Sequence, residues 1–162
     1  LRDLLTKYKI YIYLIVLTII SYLPLNFGTV PVKPAILVIS IFYFSIIPQT
    51  RPSLLFLIIL GTFDDLISSS YVGITSLNYV LISLIASSNT KALLEQRFNV
   101  VWGALLLALI IVHTIEASII SVMSDYSVFK LEIAVKILLS LLLYPLLHYF
   151  YSIKIDQTKI NE

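Results

Sequence analysis

The sequence predicts an all-α polytopic membrane protein, a bundle of about six transmembrane helices, on three observations. Of its 162 residues 59% are hydrophobic and only 12% charged, and the mean hydropathy is +1.00. A soluble domain carries about twice that share of charge, and no aqueous fold could cover so much apolar surface. Six consecutive apolar blocks fill the chain. The polar gaps between them are short, which leaves room for a single transmembrane domain over residues 1–162, with a short cytoplasmic tail at 152–162, and for no soluble domain.

Block one runs from Tyr8 to Leu25 and stops at Pro24 and the turn signals Asn26-Phe27-Gly28, through which a helix does not continue. Basic residues Arg2, Lys7 and Lys9 precede it as in a signal peptide, but no small-x-small cleavage site follows before Pro31, so it reads as a retained span. Block two, Val30 to Ile47, places Pro31 and Pro34 in its first turn, where a missing N–H costs little, and Lys33 there can snorkel to the interface. The break Pro48-Gln49-Thr50-Arg51-Pro52 is a tight hairpin into block three, Ser53 to Ile67. Block four, Val72 to Ala86, follows Ser68-Ser69-Ser70. Block five, Val100 to Met123, is long enough for a hydrocarbon layer of about 30 Å at about 1.5 Å per residue, as is block six, Ile133 to Tyr151. Blocks two to four fall short of the usual length of about 20 residues, so they tilt little, thin the bilayer or shelter against neighbours, with a re-entrant segment as the alternative.

With the N-terminus in the cytoplasm and six crossings, Arg2, Lys7, Lys9, Arg51, Lys91, Arg97, Lys154 and Lys159 fall on the cytoplasmic side, against Lys33, Lys130 and Lys136 outside. That asymmetry obeys the positive-inside rule and puts both termini in the cytoplasm. Tyr8, Tyr11, Trp102, Tyr149 and Tyr151 mark the inner interface, and Tyr22, Tyr71 and Tyr126 the outer one. Between blocks four and five, Asn89 or Thr90 can cap a short connecting helix with Lys91 and Glu95 at i,i+4 and with Ala92, Leu94 and Phe98 toward the membrane surface. A net charge of +2 is too small to argue for nucleic acid, and the absence of Cys excludes disulfides and thiol chemistry.

Ionisable groups inside a membrane cost about 2.5 to 3.5 kcal/mol each, so each one needs a reason. Asp64 and Asp65 sit at the rim where block three ends. Neighbours on a helix diverge by about 100°, so the two carboxylates cannot form a catalytic dyad. One of them can accept from serine hydroxyls or from the backbone N–H groups that begin block four; proton relay or metal binding is the sharper alternative. His113 and Glu116 lie one turn apart near the middle of block five. They can begin a metal site or proton path, but zinc wants about four ligands, and the other His is His148. The plainer reading is an intramembrane polar pair that holds block five to its neighbours, with Ser118, Ser121 or Tyr144 as helpers. No phosphate loop, G-x-S-x-G or H-E-x-x-H is present, so no enzyme, no metal and no cofactor is expected.

The run from Gly61 through Asp65 and Gly73 to Tyr79 resembles the signature of the rod shape-determining protein MreD family: a Gly, an Asp four residues on, a Gly eight beyond, then an apolar span. Gly61 and Asp65 share a helix face, so a small residue permits close helix approach one turn before the carboxylate, and Gly73 allows a tight turn into block four. Length, block number and the Arg51-Pro52 hairpin extend the resemblance along the chain; Ser69 and Ser70 stand where the family pattern has a further Gly. The resemblance implies a non-enzymatic subunit of the bacterial elongation complex in the inner membrane, among membrane lipids. Its implied partners are a single-span MreC-like scaffold and the cell-wall polymerase and transpeptidase that make lateral peptidoglycan. The layout is also similar to the substrate-binding subunits of energy-coupling-factor vitamin transporters, in which Asp64, Asn78 and Tyr79 would line an outer cavity. A membrane enzyme would have to converge His113, Glu116 and His148 on one pocket.

Overall fold

A computed structural model describes residues 2–21, 36–68, 71–90, 93, 98–124, 135 and 137–147. They form six helices: α1 (Arg2–Ser21), α2 (Ile36–Ile46), α3 (Leu54–Ser68), α4 (Ile74–Ser88), α5 (Phe98–Ser124) and α6 (Ile137–Leu147). A 3-10 turn at Pro48–Thr50 joins α2 to α3, and no strand occurs among the described residues. Each helix falls on one of the six apolar blocks, with ends displaced by a few residues. At its start α1 runs six residues beyond block one, to Arg2, because a helix can run on into a polar turn that hydropathy does not mark. Pro31, Lys33, Pro34, the Asn26–Gly28 turn, Ser69, Ser70, most of the connecting segment with Lys91, Glu95 and Arg97, Lys130, Lys136, His148 and the tail 152–162 lie outside the described residues.

In α5 the segment Phe98–Val122, 25 residues, is long and apolar enough to cross a membrane. The shorter helices are organised around α2. Its 11 residues are apolar all round apart from Ser40 and Ser45, every side chain from Leu37 to Ile46 is buried, and α4 and α1 pack against it. An all-round apolar helix of this kind belongs at the centre of a bundle. Its Phe42, Ile39 and Ile41 join Leu14 of α1, Leu57 of α3, Ile82 of α4, Leu105 and Leu109 of α5 and Tyr144 of α6 in one continuous core. The outward faces are apolar too: Leu55, Ile59 and Leu66 on α3, Leu107 on α5 and Leu142 on α6 are all well exposed. Water would not tolerate such a surface, whereas hydrocarbon suits it. Hydroxyls on these helices are satisfied within their own backbones, as in Thr18 to the Leu14 carbonyl at 2.8 Å and Ser118 to that of Thr114 at 2.8 Å.

The hairpin between α2 and α3 closes the bundle at one end. A helix leaves its last carbonyls without intrahelical partners, and here Thr50 Oγ1 donates to Phe44 O at 3.0 Å and Arg51 Nε to Ser45 O at 3.3 Å. The cation also complements the negative end of the α2 dipole. Arg51 Nη2 donates to Thr90 Oγ1 at 3.0 Å, so the same side chain ties the end of α2 to the residues that follow α4. Ser45 Oγ donates to Ser83 Oγ at 2.9 Å between α2 and α4, and Trp102 Nε1 to Leu141 O at 3.2 Å between α5 and α6.

Packing outweighs these interhelical hydrogen bonds. Phe42→Ala should destabilise the bundle by about 3 to 5 kcal/mol, whereas Ser45→Ala should cost only about 0.6 kcal/mol. Equilibrium unfolding of the two variants in mixed micelles checks the order, which would be reversed if the serine bridge were dominant.

Candidate functional site

The residues singled out by sequence gather at the α3–α4 end of the bundle, opposite Arg51. Gly61 and Asp65 lie one turn apart on the buried face of α3. A Cβ built on Gly61 would fall onto the Ser76 backbone, 2.5 Å from its N and 2.8 Å from its Oγ, so even alanine is excluded unless the helices separate. The close approach lets Ser76 Oγ donate to the Ile58 carbonyl of α3 at 3.0 Å.

One turn further on, Asp65 is fully buried and its carboxylate closes the start of α4. Oδ2 accepts from the Gly73 N–H at 2.7 Å, and the Thr75 N–H is shared between Oδ1 at 3.2 Å and Oδ2 at 3.3 Å. The first N–H groups of a helix have no partner of their own, and a side chain at the N-cap position normally supplies one. The N-cap of α4 is Gly73, which has no side chain, so the acceptor comes from the preceding helix. Gly73 takes φ of +103°, a left-handed conformation that glycine adopts without steric cost. The carboxylate also meets the positive end of the α4 dipole.

Asp64, about 100° further round α3, is half-buried and accepts from the Tyr79 hydroxyl of α4. The two adjacent acids therefore have different partners, and both face α4. His113 Nδ1 lies 2.7 Å from Glu116 Oε2 on α5. The same oxygen accepts from Asn78 Nδ2 of α4 at 3.0 Å, which makes a three-residue bridge between α4 and α5. Ser118 and Ser121 instead bond their own helix, and Tyr144 stacks on Phe98 near the other end of α5, at 5.7 Å between centroids. Sequence reasoning missed Asn78 as a partner of Glu116; an Asn on a helix face shared with buried Ile74 and Ile82 was the available signal. Among the described residues, no group of three or more His, Asp or Glu is placed to hold a metal ion.

The geometry is that of a lock between helices, in which the carboxylates of Asp64, Asp65 and Glu116 accept from the protein's own donors. The family model for rod shape-determining protein MreD matches residues 2–154, and so includes this lock and all six helices. The chain belongs to the MreD family. No curated protein and no solved structure matches it, and the likeness in layout to energy-coupling-factor subunits finds no support. MreD proteins act in rod-shape determination, and the apolar helices described above fit a membrane protein.

Asp65→Ala would strip the Gly73 and Thr75 N–H groups of their acceptor, at about 1 to 3 kcal/mol for each buried group left unsatisfied. Folded yield and thermal midpoint should both fall, with Asp65→Asn intermediate because its amide oxygen still accepts. Size-exclusion yield and thermal unfolding in detergent check this. Loss of partner binding with yield unchanged would instead mark the motif as an interface.

Proposed function

We propose that this MreD-family chain is a non-enzymatic, multi-pass subunit of the bacterial elongation complex in the inner membrane. It forms a single membrane domain with both termini in the cytoplasm, and it supports lateral peptidoglycan synthesis by binding a single-span MreC-like scaffold. Through that scaffold it meets the cell-wall polymerase and transpeptidase. The observation that carries this reading is the family match over residues 2–154, nearly the whole chain. The site agrees with it in kind. Asp65 has the start of α4 as its partner, Asp64 has Tyr79, and Glu116 has Asn78 and His113, so the acids serve helix association.

In this reading Gly61, Asp65 and Gly73 stabilise the bundle and do not touch a substrate. Contacts with the scaffold then fall to the outward apolar faces, because the described connections between helices are short and offer no large docking loop. The basic residues support six crossings with Arg51 on the cytoplasmic side, which places the α3–α4 turn toward the outside.

Affinity purification of the tagged chain from its native membrane in mild detergent tests the proposal. A single-span coiled-coil protein together with cell-wall synthases is the expected recovery. Two ATPase subunits, or a bound vitamin, would overturn it in favour of a transporter subunit.

A further inference from the structure

The helices α2, α3 and α4 are shorter than a hydrocarbon layer of about 30 Å, and the structure shelters two of them. α2 has 11 residues and α3 and α4 have 15 each, about 16 and 22 Å at about 1.5 Å per residue. The side chains of α2 are buried from Leu37 to Ile46, and α4 packs against α2, α3 and α5 with Ile74, Asn78, Ile82 and Ala86 buried. α3 differs. It packs on α4 through Leu57, Leu60, Gly61 and Asp65, and leaves Leu55, Ile58, Ile59, Phe63, Leu66 and Ile67 exposed.

A helix shorter than the bilayer is accommodated by snorkelling of its flanking side chains, by association with another helix or by thinning of the bilayer; tilting only lowers its span. Snorkelling is restrained near both ends of α3. Arg51 donates to Ser45 O at 3.3 Å and to Thr90 Oγ1 at 3.0 Å, while Asp65 accepts from the Gly73 and Thr75 N–H groups and Asp64 from the Tyr79 hydroxyl. Aromatic residues of the kind that seek the membrane interface mark the same two ends. Tyr11 stacks on Phe56 at 4.5 Å between centroids and its hydroxyl meets the Ser53 N–H at 3.4 Å, and the exposed Tyr71 follows the end of α3. Association of helices in a membrane relies on small residues and on polar contacts between helices. In α3, Gly61 is already closed against Ser76, and the Thr62 hydroxyl donates to the Ile58 and Ile59 carbonyls of its own helix. From Leu54 to Ile67 every exposed side chain is Leu, Ile or Phe, a surface suited to acyl chains.

We propose that the bilayer is thinned against α3 and that this face selects phospholipids with short acyl chains. The inference rests on the membrane placement proposed above. α3 covers about 22 Å with its 15 residues, whereas Phe98–Val122 of α5 covers about 37 Å with 25. The bundle thus presents hydrophobic belts of unequal height on two of its faces, and a lipid whose chains match one of them mismatches the other.

The full chain is reconstituted in vesicles of equal parts dimyristoleoyl and dierucoyl phosphatidylcholine, which share a headgroup and differ in chain length. A photoreactive amino acid replaces Ile59 on α3 or Leu107 on α5, which are similarly exposed at 58% and 61%. Cross-linked lipids are counted by mass spectrometry. The expected result is a ratio of short to long lipid about threefold higher at position 59 than at position 107. The same ratio at both positions, or enrichment of the long lipid at position 59, would overturn the proposal. So would a dominant cross-link from position 59 to a second copy of the chain, or to another protein in the native membrane, because a helix would then cover that face. Should the chain labelled at position 59 not fold, positions 55 and 66 on the same face decide it. A chain that yields no lipid cross-link at either helix would contradict the membrane placement itself, a failure distinct from equal ratios at the two.

Discussion

A helix whose start is buried must find acceptors for its first N–H groups, and in α4 that requirement is met by one carboxylate from the helix before it. Asp65 reaches across to Gly73 and Thr75, and most of the local geometry follows from this contact. For the carboxylate to reach, α3 and α4 must approach closely one turn earlier, which is possible because position 61 has no Cβ to meet the Ser76 backbone. For the N–H groups to point at it, the chain must turn through a left-handed residue, which Gly73 supplies. Three residues spaced by four and eight thus describe one mechanical object, a locked helical hairpin.

The opposite end of the bundle uses the complementary charge. Arg51 sits at the carboxyl end of α2 and reaches the residues after α4, as Asp65 sits at the amino end of α4. Each charge lies at the helix end whose dipole favours it, and each satisfies backbone groups that an apolar environment leaves without partners. Asp65 belongs to α3 and Arg51 to the turn before it, so α4 is held at its two ends by side chains from one element and its approach. Along its length, Ser83 meets Ser45 and Asn78 meets Glu116. The helix that touches the most partners is thereby the one most fixed in position, while the outer faces of α3, α5 and α6 keep apolar side chains for lipid or for other membrane helices.

Much of this was legible in the sequence. Hydropathy and the proline-rich breaks located all six helices, because an apolar run in a charge-poor chain has few other outcomes. The angular step of a helix separated Asp64 from Asp65, and they do bond different groups. What was not legible depended on which helix lies beside which. The sequence offers Asn78 only as a lining residue of a transporter cavity and Ser118, Ser121 or Tyr144 as helpers of His113 and Glu116, whereas Glu116 accepts across the helix interface from Asn78. Serines on one helix face are poor predictors of interhelical contact, since their hydroxyls are content with the carbonyl one turn back. The sequence marks Arg51 as a topological charge and as part of a hairpin signature; its role as a cap for α2 depends on how the 3-10 turn folds back.

Residue-resolved amide hydrogen exchange on the reconstituted chain tests the lock most directly. If Asp65 closes the start of α4, the Gly73 and Thr75 amides exchange as slowly as those inside the helices, although both lie at a turn, and Asp65→Asn accelerates these two amides before the helix interiors. Rapid, loop-like exchange at Gly73 and Thr75 in an otherwise protected bundle would contradict the central role given to this carboxylate.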